Sequence, residues 1–201
     1  MTRRIGLLGG TFDPVHNAHL ALGRTALDTL ALDELRWVPA GMPWQKARVI
    51  TPAAHRVAML QLALAGEPRF RLERCELERA GPSYTLDTVR ELQLWEPDAD
   101  WFLVVGQDQF ANLHTWHGWQ ELLTRVTLAV AARPGATPAT DARLQGLAPR
   151  ILPLPAMDIA ASALRQRVAD GQSIAGFVPP TVARYIEQHA LYLRDGAHTG
   201  S

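Results

Sequence analysis

One cysteine, Cys75, stands in 201 residues, so an intrachain disulfide is excluded and a reducing, cytoplasmic setting fits. Neither sign of charge is in excess: 20 Lys and Arg stand against 20 Asp and Glu. That balance excludes a broad electrostatic grip on nucleic acid or on an anionic membrane surface, so any anion site must be local. No apolar run is long enough to cross a bilayer. The run behind Arg3 and Arg4 is cut by glycines and then by Asp13, too soon for a signal peptide. There is no internal repeat and no low-complexity tract. No G-x-G-x-x-G occurs, which removes the dinucleotide fingerprint, and no Cys/His cluster has the spacing of a zinc site.

What is present suits one globular domain with a real core: 47% of residues are hydrophobic and 20% charged. Four short apolar runs read as strands: IGLL (5–8), LRWVP (35–39), WFLVVG (101–106) and VTLAVAAR (126–133). Their continuous hydrophobicity predicts burial on both faces, as in a parallel sheet. RFRLERCEL (69–77) alternates and predicts a half-exposed edge strand, and RILPLP (150–155) a last short one. Helical patterns lie between them, at 18–30, 53–64, 86–95, 118–126, 162–171 and 180–191. Thr51 reads as a helix cap, as do Ser83 or Thr85, and Ser162. The stretch from Arg133 to Pro149 looks loose, and the tail from 195 to 201 is expected to be disordered. The alternation of strand and helix predicts a doubly wound, Rossmann-like α/β domain over 1–194, with helices on both faces of a parallel sheet and a small C-terminal helical part. In such sheets the ligand crevice lies beyond the carboxyl ends of the strands.

The stretch GGTFDPVHNAHL (9–20) follows the first strand directly. Gly9 and Gly10 allow a tight turn and close approach of a ligand to the backbone. Asp13 as cap and Pro14 as first residue would open a helix. His16 and His19 then fall one turn apart near its N-terminus, where free N–H groups and the helix dipole favour phosphate. Imidazoles there donate hydrogen bonds to phosphate oxygens and, if protonated, neutralise charge on them.

This stretch resembles the H-x-G-H signature of the α/β adenylyl- and cytidylyltransferases, in the version of the bacterial nicotinate-nucleotide adenylyltransferases. Ala18 stands where the signature has glycine. DIAASALRQRV (158–168) resembles the second signature of that family, I-S-S-T-x-I-R; Ser162 and Arg165 match its last hydroxyl and its arginine, while Ala160 and Ala161 replace hydroxyl residues. The resemblance implies an ATP site of Gly9, Gly10, Thr11, Phe12, His16, His19, Lys46, Gly106, Asp108, Ser162 and Arg165. His16, His19 and Arg165 would carry the chemistry on the phosphates. It implies an acceptor site in GPSYTLDTVREL and NLHTWHGW, with Trp116 stacked on a pyridine ring, N–H groups around Thr85 and His117 on a carboxylate, and Arg133 nearby. The implied reaction transfers the adenylyl group of ATP to nicotinate mononucleotide with Mg2+, which Asp108 could help to hold. Two rivals stand beside it. One is a sister enzyme for nicotinamide mononucleotide or phosphopantetheine; the other is a catalytically silent nucleotide sensor. The oligomeric state is left open.

Overall fold

In the computed structural model, residues 2–41, 50–132, 141–155 and 157–194 are described. Strands and helices alternate: β1 (Arg4–Gly10), α1 (Asn17–Thr29), β2 (Glu34–Pro39), α2 (Ala53–Leu64), β3 (Phe70–Leu72), α3 (Cys75–Glu78), α4 (Thr85–Trp95), β4 (Asp100–Val105), α5 (Gln107–Ala111), α6 (Trp119–Arg125), β5 (Thr127–Ala132), β6 (Arg150–Pro153), α7 (Ala161–Ala169) and α8 (Pro180–Gln188). The six strands form one parallel sheet in the order β3-β2-β1-β4-β5-β6. This is the doubly wound order expected of a Rossmann-like fold, with its switch point between β1 and β4.

Two-residue periodicity distributes each central strand between two cores. Along β4, Trp101, Leu103 and Val105 enter one apolar cluster, and Phe102 and Val104 the other. The first face is covered by α4, α5 and α6 through Leu86, Val89, Leu92, Phe110 and Leu122. The second is covered by α1, α2, α7 and α8 through Leu27, Met59, Leu60, Leu164, Val182 and Ile186. The continuous apolar strands are therefore buried on both sides, as the sequence predicts. No helix among the described residues is long and apolar enough to cross a membrane.

The alternating segment 69–77 forms less strand than expected. Only Phe70–Leu72 pairs, as the edge strand β3. The carboxylate of Glu73 then accepts hydrogen bonds from the N–H groups of Arg74 and Cys75, which turns the chain into α3. The segment after β5 is more ordered than expected where it is described: Leu144 is buried in the cluster under α4 and α6. Arg133 and the tail from 195 lie outside the described residues.

The amino ends of β1, β2 and β4 are tied by ions. Arg36 bonds Glu34 at 2.7 Å and also Glu96, while Arg3 reaches Glu34 at 2.6 Å. Arg36 also lies over the Trp101 ring, 5.3 Å from its centre. That edge of the sheet is closed, and the opposite edge carries the glycines.

α1 sits on the sheet through Gly23. A Cβ there would lie 2.7 Å from the Trp37 ring, 3.0 Å from Phe70 and 3.1 Å from Leu35. Trp37 is fully buried and has no room to retreat. Gly23→Ala should therefore destabilise the protein by about 1–3 kcal/mol despite alanine's better helix propensity. Equilibrium denaturation of the two proteins checks this; equal or greater stability of the alanine variant would contradict the packing.

Candidate active site

The carboxyl ends of β1 and β4 meet at the switch point. The register that pairs Leu7 with Leu103, continued three residues, sets Gly10 level with Gly106. A Cβ at Gly9 or at Gly106 would meet nothing within 4 Å among the described residues, so both face open space there. Gly10 differs: a Cβ there would lie 3.0 Å from the Phe12 ring. The left-handed residue of this turn is Phe12 itself, at φ 50°, rather than either glycine. The glycines thus supply room, not unusual angles. Phe12 is buried against Trp37, with ring centres 5.5 Å apart, and meets His19 edge-on at 5.1 Å.

α1 begins at the 18–30 pattern, later than a start at Asp13 and Pro14 would put it. Its N-cap is His16, and His19 is the third helical residue. The two imidazoles stack, with centres 3.6 Å apart and planes 23° apart. The His16 N–H donates to His19 Nδ1 at 3.2 Å. A neutral His19 accepting there carries its proton on Nε2, which assigns that nitrogen as a donor. His16 is 6% exposed, and burial pushes its imidazole down from 6.5 to about 4. Of the two states the sequence leaves open, His16 is therefore in the neutral one at neutral pH. Its Nδ1 is buried without a hydrogen-bond partner among the described residues.

Asp13 does not cap α1. It is 1% exposed and gathers three other parts of the chain. The Tyr192 hydroxyl donates to its Oδ1 at 2.8 Å, and the Thr51 N–H approaches Oδ2 at 3.4 Å. Arg165 Nη1 donates to its backbone carbonyl at 2.6 Å. Thr51 is not the cap of α2, whose N-cap is Pro52. Arg56, 2% exposed, donates from Nη1 to the Thr11 carbonyl at 2.9 Å and from Nε to the Thr51 carbonyl at 3.0 Å. Sequence reasoning missed Arg56 and Tyr192. For Arg56 a signal existed, a guanidinium amid the apolar positions of AAHRVAML; for Tyr192 there was none.

The second signature arrives on α7. Ser162 is its second residue, exposed, and not its cap, which is Ala160. Arg165 lies one turn on and touches the first signature through Asp13. Arg167 instead bonds the Ser173 carbonyl and covers the Phe177 ring at 5.2 Å, a structural role. The same neighbourhood holds the start of α1, where Asn17 donates to the carbonyls of Gly176 and Phe177.

On the other side of the crevice, Thr85 is the first residue of α4, whose N-cap is Tyr84. Ser83 is not a cap because its Oγ accepts the Gly41 N–H at 3.1 Å, while the Ala40 N–H bonds the Gly10 carbonyl. The loop before α4 is thus tied to the end of β1. Beneath it Glu76 is buried, accepts from Thr88 Oγ1 at 2.8 Å, and is pushed up by burial. The rings of Tyr84 and His117 pair at 4.5 Å, joining the Thr85 and Trp116 segments. Trp116 is half-buried against the cluster under α4, as is Trp119. Asp108 is exposed in the first turn of α5, beside Gly106. No group of three His, Cys, Asp or Glu fit to hold a metal exists among the described residues. Lys46 lies outside them, as does Arg133.

The profile of the cytidylyltransferase-like family matches residues 7–167, a span that holds both signatures. Two curated relatives carry the name "probable nicotinate-nucleotide adenylyltransferase". The one from Methylibium petroleiphilum is 53% identical over 94% of this chain and 92% of its own length. The one from Bordetella petrii is 51% identical over 94% and 99%. The chain belongs to the nicotinate-nucleotide adenylyltransferases. Among solved structures, the Plasmodium falciparum nicotinic acid mononucleotide adenylyltransferase complexed with NaAD has the same fold. It superposes with a TM-score of 0.79 at 18% identity, covering 94% of this chain and 97% of that one. In this adenylyltransferase the two signatures, about 150 residues apart in sequence, meet at Asp13 and Arg165.

The buried imidazole has a measurable consequence. Between pH 6.5 and about 4 the unfolded chain binds a proton at His16 that the folded chain refuses. Its contribution is intact above that window and is lost as the pH falls through it. Denaturation of wild type and His16→Asn should show the wild type losing on the order of 3 kcal/mol more between about pH 7 and about pH 4. Parallel losses would show that His16 is not buried as described.

Proposed function

We propose that this chain transfers the adenylyl group of ATP to nicotinate mononucleotide, giving deamido-NAD and pyrophosphate, within one nucleotidyltransferase domain over 1–194. One observation carries the reading: two stacked imidazoles at the N-terminus of α1, beside the open space at Gly9 and Gly106, with Arg165 brought to the same loop from α7. The names of relatives at 53% and 51% identity support the same substrates.

In this reading the triphosphate lies over Gly9, Gly10, Thr11 and Phe12, at the start of α1. Helix N-terminal N–H groups and imidazole donors suit its oxygens. The stacked imidazoles of His16 and His19 serve the transferring phosphate, without adding charge at His16. Ser162 and Arg165 hold the outer phosphates, where a guanidinium fork matches two oxygens. Gly106 leaves room for the nucleoside and Asp108 flanks it. Lys46, outside the described residues, serves the phosphates as the resemblance implies.

The acceptor's phosphate oxygen attacks the α-phosphorus, the bond to the β-phosphate oxygen breaks, and pyrophosphate leaves on the opposite side. The acceptor phosphate is already a nucleophile at neutral pH, so no covalent enzyme intermediate is needed. Alignment and charge stabilisation do the catalysis. Trp116 stacks on the pyridine ring, the N–H groups near Thr85 and His117 meet its carboxylate, and Arg133 assists.

The family uses a divalent metal, and here we take it to be Mg2+. The donor set fits a cation held chiefly by phosphate oxygens, with one protein carboxylate, since no three-ligand cluster exists among the described residues. Asp108, exposed beside Gly106, would be that carboxylate. Bound there, the ion would neutralise charge on the phosphates.

Incubating the protein with ATP, Mg2+ and either nicotinate or nicotinamide mononucleotide, and reading product mass, tests the reading. Deamido-NAD from the nicotinate form is expected, and ATP binding without pyrophosphate release would overturn it. In the same assay His19→Ala should lower kcat by roughly 10²-fold, the usual loss on removing one transition-state donor. Trp116→Ala should raise KM for the acceptor far more than KM for ATP. An equal rise in both would remove Trp116 from the acceptor pocket.

A further inference from the structure

Beyond α8 the chain does something the signatures do not require. Ala190 and Tyr192 both take left-handed backbone angles, at φ 49° and 68°, although neither is glycine. Such conformations persist only where surrounding contacts enforce them. Here they turn Tyr192 back into the molecule. Its phenol is half-buried, 4.0 Å from Met59 Sδ of α2, and donates to Asp13 Oδ1 at 2.8 Å. Burial, and after it the Asp13 carboxylate, push the phenol's pKa far up, so it remains a donor across the working pH range.

Asp13 lies three residues before His16, the N-cap of α1, and its carbonyl receives Arg165. Movement of Asp13 would therefore shift His16 and Arg165, two of the groups proposed to touch the triphosphate. A hydrogen bond between a neutral phenol and a buried carboxylate is directional, and stronger than one between neutral groups.

We propose that Tyr192 is a positioning residue for adenylyl transfer, acting through Asp13 to align the His16–His19 pair with Arg165. It touches neither substrate. The inference rests on the function proposed above and deepens it.

The test measures pyrophosphate release by the full chain as wild type, Tyr192→Phe, Asp13→Asn and the double variant, with thermal unfolding of each. Tyr192→Phe removes one oxygen and keeps the ring against Met59. We expect its kcat to fall about tenfold, with KM for nicotinate mononucleotide within twofold of wild type and Tm within a few degrees. We expect no further loss when it is added to Asp13→Asn, because the path through Asp13 is already broken. A merely structural phenol would lower Tm and active fraction without this split and without this non-additivity. The inference is overturned by an unchanged kcat, by independent losses that multiply in the double variant, or by a Tyr192→Phe protein that does not fold. A wild type that releases no pyrophosphate would instead overturn the function itself, and the inference with it.

Discussion

A carboxylate removed from water must be surrounded by donors, and at Asp13 those donors come from far along the chain. Thr51 offers a backbone N–H and Tyr192 a hydroxyl, while the carbonyl of the same residue receives Arg165. A buried carboxylate wholly without donors costs several kcal/mol, so these distant segments are tied to one another at this residue. The first motif turn, α2, α7 and the segment after α8 are consequently not free to settle independently. Arg56 adds a second fastening, from α2 to the carbonyls of Thr11 and Thr51.

That fastening sits at one edge of a sheet whose opposite edge is closed by paired ions. Arg3, Glu34, Arg36 and Glu96 seal the amino ends of the strands, and the apolar strands between are covered on both faces. At the carboxyl edge, among the described residues, Gly9 and Gly106 leave space beside two stacked imidazoles. The site follows from topology, because reversing strand order at β1 and β4 parts the loops above them.

Much of this was legible in the sequence, for physical reasons. IGLL and WFLVV read as strands because both of their faces are buried, and burial on two sides leaves an unbroken apolar run. The signatures gave His16, His19 and Arg165, and the structure gathers all three around one loop. Helix starts were the weak point. Asp13 and Ser83 are good capping residues, but each side chain is engaged elsewhere: Asp13 with Tyr192, Ser83 with Gly41. A partner distant in sequence outbids a local one and leaves no local trace. The same holds for the charge state of His16, which depends on burial rather than on its neighbours in the chain. RFRLERCEL alternates as a strand should, yet Glu73 captures the next two N–H groups and ends it.

The contact between Tyr192 and Asp13 spans 179 residues. On a ribosome adding 5–20 residues each second, the motif turn emerges about 10 to 35 s before the phenol that fastens it. For that interval the nascent chain holds its signature histidines on a turn lacking one of its restraints. Completion of this turn is thus a late event in biosynthesis, even though its most recognisable residues are among the first to be made.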